Sequence, residues 1–79
     1  MNERLRQYMQ AAKNMGVVDV KGQVLCVAIY HLGGAEAVSA VLDSMTGEYT
    51  GENILKELKL PEFVSLRRGC RMVCNSIIE

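Results

Sequence analysis

The sequence predicts an all-α fold, a compact bundle of four to five short helices, on three observations. Residues 63–77 place Phe63, Leu66, Cys70, Val73 and Ile77 in steps of three and four, a two-heptad apolar seam on one helical face. Residues 2–15 show the same periodicity through Leu5, Tyr8, Met9, Ala12 and Met15. Between these segments the chain is punctuated by helix-stopping signals: Gly16, the Gly33-Gly34 pair, the stretch TGEYTG and Leu60-Pro61.

The first helix is expected to begin at Asn2, a good N-cap, with Glu3 favourably placed in its first turn and Gly16 as its stop. Residues 17–34 read in two ways. A buried helix from about Val20 to Leu32 would be capped by Asp19 and ended by Gly33-Gly34. The alternative is an α+β fold with one hairpin at residues 17–30, in which VVDV and QVLCVAIY pair across Lys21-Gly22. Periodicity does not separate them, because the run is apolar on all sides. The helix is preferred, since HLGG has the form of a helix C-terminus and a lone hairpin needs further strands. After the glycine pair, Val38, Val41, Leu42 and Met45 mark a further amphipathic helix. Thr50 should cap a short helix with Ile54, Leu55 and Leu58 turned inward. Pro61 suits the first turn of the last helix, and Leu60 before it is steered away from helical angles.

Seventy-nine residues make a single domain, 1–79. A chain this short buries only about 60% of the surface its unfolded form exposes, so a partner subunit would help stabilise it. Hydrophobic residues make up 49% of the chain but only four residues are aromatic, which predicts an aliphatic, methionine-rich core rather than disorder. Nine basic and nine acidic residues cancel, against the clear basic excess of a dedicated nucleic-acid binder. The charges are segregated, however. Residues 41–60 hold four acids and two lysines, and residues 61–79 hold three arginines and two acids. The three cysteines form no secreted-type framework, and the charged start MNERLRQYMQ lacks the apolar core of a signal peptide. The apolar runs fall short of the roughly 20 residues of a membrane span. A cytoplasmic protein without a membrane partner is expected.

Chemistry-bearing residues are few. Cys26, His31, Cys70 and Cys74 are of zinc-binding type, but Cys26 and His31 are five apart within a helix, a poor spacing for a metal knuckle. Cysteines inside apolar runs are better read as small core residues, so no metal and no cofactor are expected. A cysteine nucleophile would need a base and an orienting group, and the single histidine leaves those roles unfilled. The glycine pairs match no phosphate-binding fingerprint. No catalytic residue is assigned, and the chain is expected not to be an enzyme.

A helix-turn-helix outline does exist in VAIYHLGGAEAVSAVLDSMTGEYTGENILKEL. Its third helix would present Glu52, Asn53, Lys56 and Glu57, not the arginines that read base edges, so a DNA-binding regulator is the alternative. The stretch LRRGCR points instead to a protein interface. Arginine is enriched at such surfaces because its planar fork binds carboxylates in pairs. Gly69 within that helix is disfavoured by about 1 kcal/mol against alanine unless another group packs close to it. The expected binding residues are Leu66, Arg67, Arg68, Arg71, Val73 and Ile77 on the C-terminal helix. The function expected from the sequence is that of a small, non-enzymatic regulator. It would act sterically on another protein, as an inhibitor or antirepressor does, and would itself be a homodimer.

Overall fold

The computed structural model describes the backbone of residues 3–78 and the side chains of residues 3–73. Four α-helices follow one another: α1 (Glu3–Asn14), α2 (Val20–Ser44), α3 (Gly51–Glu57) and, after a 3-10 turn at Pro61–Phe63, α4 (Val64–Ile78). There is no strand among the described residues, so the all-α expectation holds and the hairpin over 17–30 is not formed. Asn2, the expected cap of α1, lies outside the described residues.

The end of α1 shows how local chemistry sets the chain's course. Gly16 has φ +104°, the Val17 amide donates back to the Ala12 carbonyl, and the Gly16 amide donates to Lys13. This paired closure satisfies carbonyls that the helix end would leave bare, and it turns Val17 inward to full burial. Asp19 then caps α2 as expected.

Helix α2 is the centre of the domain and packs against each of the other three helices. Its first limb, residues 20–33, buries five successive residues, Leu25 to Ile29. A helix covered on several sides needs apolar residues all round, which is why this stretch shows no amphipathic period. By length and composition α2 could cross a membrane; here it is broken in two, with nine residues buried against the rest of the domain while Val20, Tyr30 and Leu32 are exposed. The break is at Gly34 (φ 75°, ψ −172°), a backbone region open essentially to glycine alone. Gly33 is needed for a different reason. A Cβ there would lie 2.6 Å from the Ala37 Cβ, across the corner. The second limb, residues 35–44, then returns Val38, Val41 and Leu42 to the core.

A single carboxylate joins two helix starts. Asp19 Oδ1 accepts the Gly22 amide at 2.8 Å, capping α2, and also the Gly51 amide at 2.9 Å, at the first residue of α3. The negative charge therefore sits at two positive helix ends. Val18 donates to the Tyr49 carbonyl alongside, and Thr50 adds its own cap by accepting from the Asn53 amide. At its other end α3 is tied to α2 by the Ser44 hydroxyl, which donates to the Glu57 carboxylate. This fixes a helix of only seven residues, too short to be stable by itself.

Helix α4 lays its seam on α2. Phe63 and Cys70 are buried, and Leu66 and Val73 are half-buried against the core. Leu32 of α2 covers Gly69, where a Cβ would come within 2.8 Å of both its δ-carbons. The close approach expected at that glycine is made within the chain.

Candidate functional site

Arg67, Arg68 and Arg71 are all exposed on α4. At 3.6 residues per turn they fall within an arc of about 100° on the outer side of the helix. They border an open groove of about 700 Å³ that runs between α4 and α3, with Leu25, Leu55, Leu58 and Cys70 as its apolar lining. Leu25 and Leu58 are core residues that form only the floor, whereas Leu55 is half-buried and reachable. Because Ile54 and Leu58 are fully buried and the Gly51 amide is bound to Asp19, α3 holds the leucine wall opposite the arginines.

Among the described residues the charge on this rim is uncompensated. The only ion pair among the described residues is Lys56–Glu52, on α3, and no carboxylate of a described residue lies within 4 Å of the three guanidinium groups. Glu57 is engaged with Ser44. Met72, next along α4, is 75% exposed and adds an adaptable apolar side chain beside the arginines.

The structure places the sequence-derived residues unequally. Arg67, Arg68 and Arg71 come together as one surface. Leu66 and Val73, expected on the same patch, are instead packed against the core, and the side chain of Ile77 lies outside the described residues. The apolar part of the groove comes from Leu55, Leu58 and Leu25, which the sequence marks only as inward residues of other helices.

Other chemistry finds less support. Cys26 is buried and His31 exposed, the latter edge-on to Tyr8 at 5.9 Å between ring centroids. Among the described residues no three of His, Cys, Asp and Glu converge as a metal site. Burial pushes the Cys26 thiol up from 9.0 to about 11, the reverse of what a thiolate nucleophile needs. This has a stability consequence. The unfolded chain loses the proton first, so the contribution of the buried neutral thiol is complete below pH 9 and declines as pH rises from 9 towards 11. Urea titrations at pH 7, 9 and 10.5 should show that decline, and Cys26→Ala should flatten it. A decline of the same size in Cys26→Ala would assign it to other groups.

At the start of α3, which in a helix-turn-helix would lead into the major groove, Gly51 is buried, whereas Glu52 and Lys56 are exposed and paired with each other. Gly51 is inaccessible beneath the Lys21 side chain and its amide is bound to Asp19. No protein-family model, no curated protein and no solved structure matches this chain, so its function has to be read from the groove's own chemistry.

Proposed function

We propose that this chain is a non-enzymatic regulator that binds another protein through the groove between α3 and α4. It would hold an acidic segment of the partner and block that surface sterically. The observation that carries this reading is the set of three unpaired arginines on one arc beside an apolar wall. Guanidinium groups in this setting favour bidentate carboxylates, and such charge-assisted bonds strengthen as the groove is closed to water. Leu55 and Met72 supply apolar area at the edge. Cytoplasmic placement and homodimer formation belong to the same proposal, resting on three cysteines in no disulfide framework and on the small core.

The test is capture of partners from native cells by the tagged protein, with and without nuclease, beside the variant Arg67→Glu/Arg68→Glu/Arg71→Glu. The three side chains are exposed, so the variant should fold and keep its helical signal. It should lose the partner by at least about 100-fold in Kd, since an interfacial charge pair lost at each site costs on the order of 1–3 kcal/mol. Unchanged capture by the variant would sink the proposal. If the captured proteins vanish on nuclease treatment, the arginines are contacting phosphates and the DNA-binding reading takes its place.

A further inference from the structure

A second concavity shares no lining residue with the groove beside the arginines. It has a volume of about 200 Å³ and forms where α1 meets both limbs of α2. Helix α1 supplies Tyr8, Ala11, Ala12 and Met15, and the first limb of α2 supplies Cys26, Val27 and Tyr30. The corner at Gly34 then brings the second limb back across the opening, with Ala35, Val38 and Ser39.

Three features of this place point to a ligand of one kind. The first is size. An enclosed apolar cavity of about 150 Å³ suffices to hold benzene; this concavity of about 200 Å³ is open on one side, where Ala11, Met15, Tyr30 and Ala35 are exposed, and is of a size for one ring or two fused rings. The second is the wall. Tyr8 and Tyr30, packed on each other with ring centroids 5.2 Å apart, make one side of it aromatic, while Ala11, Ala12 and Ala35 leave open what larger side chains would fill. The third is charge. No Lys, Arg, Asp or Glu is among the described residues that line the pocket, and its lining side chains that carry a polar atom are those of Tyr8, Tyr30, Ser39 and Cys26 besides the Met15 thioether.

From these features we infer that the pocket between α1 and the two limbs of α2 binds a small, uncharged aromatic molecule of one or two rings. The inference is independent of the groove on α4. Such a molecule gains apolar contact on several sides, and a single ring N–H or O–H can meet the hydroxyls at the edge. An anionic or cationic analogue would have to leave its charge against apolar walls, and binds less well for that reason.

The experiment is a titration of the 15N-labelled protein with indole, followed by backbone amide shifts, with indole-3-acetate and tryptamine as charged counterparts. Indole should shift the amides of Tyr8, Ala11, Met15, Cys26, Tyr30 and Ser39 saturably, with a Kd of roughly 0.1–1 mM for a ligand of this size. The two charged analogues should bind about tenfold more weakly. Ala11→Leu fills the pocket from an exposed position on α1, and Ala35→Leu does so from the second limb. Whichever of the two retains the wild-type spectrum elsewhere should lower indole affinity at least about tenfold. Absence of saturable shifts at millimolar indole overturns the inference, as do shifts centred elsewhere or equal binding of all three probes. Shifts of the same amides on raising protein concentration without ligand would also overturn it, by assigning the pocket to a second copy of the chain.

Discussion

Replacing Asp19 by alanine should destabilise the domain by about 3 kcal/mol, far more than an ordinary cap. Losing the cap of α2 alone costs about 1 kcal/mol. The same change also leaves the Gly51 amide without its acceptor, and an unsatisfied buried donor costs a further 1–3 kcal/mol or so. Domains are stable by about 0.05–0.15 kcal/mol per residue, so this loss removes a large part of the whole. Asp19→Asn keeps an acceptor oxygen and should cost only about 1 kcal/mol, which isolates the charge from the hydrogen bonds. Urea unfolding followed by circular dichroism separates the cases. A loss below about 1 kcal/mol in Asp19→Ala would mean that water replaces the carboxylate at both helix starts.

The second large effect is one of sign. Gly22 lies inside α2, where glycine to alanine normally stabilises by about 1 kcal/mol. Here the added methyl would stand 2.7 Å from Asp19 Oδ1, 2.7 Å from Val17 Cγ1 and 3.0 Å from the Gly51 amide nitrogen. Two of those neighbours are the partners in the shared bond, and Val17 is buried with nowhere to move. Gly22→Ala should therefore destabilise by about 2–3 kcal/mol despite its better propensity, as overpacked sites do. In the Asp19→Ala background the same substitution meets no carboxylate and costs less, so the two changes should fall short of additivity by about 1 kcal/mol or more. A stabilising Gly22→Ala would show that the two helix starts are not held as tightly as the contact implies.

What could be read in the sequence was mostly what is decided within one turn of helix. Asp19 and Thr50 as caps, Gly16 as a stop and the Gly33-Gly34 corner all act on neighbours three to five residues away, and all are found in those roles. The first limb of α2 was ambiguous because its pattern reflects surroundings and not local preference. With three helices around it, every face is apolar, and strand and helix look alike. The bond from Asp19 to Gly51 spans 32 residues and leaves no local mark; a buried glycine at the start of a short helix is its only trace.

The groove divides in the same way. Arg67, Arg68 and Arg71 stand close together in the chain and share a face of any helix that contains them, so spacing reveals them. Their apolar wall is assembled from α2 and α3, and only tertiary packing brings Leu25, Leu55 and Leu58 opposite α4. Leu66 and Val73 were expected on the binding surface because a heptad seam is apolar whether it faces a partner or the chain's own core. In this fold the seam faces α2.

The central position of α2 has a kinetic and energetic corollary. Since α1, α3 and α4 each pack chiefly on α2 and little on one another, no subset of helices can stay assembled once α2 leaves. Loss of structure should thus occur in a single cooperative step, without a partly folded form that keeps one half of the domain. Amide protons along the first limb of α2 would then exchange with solvent only through that complete opening, while the outer turn of α1 exchanges by fraying.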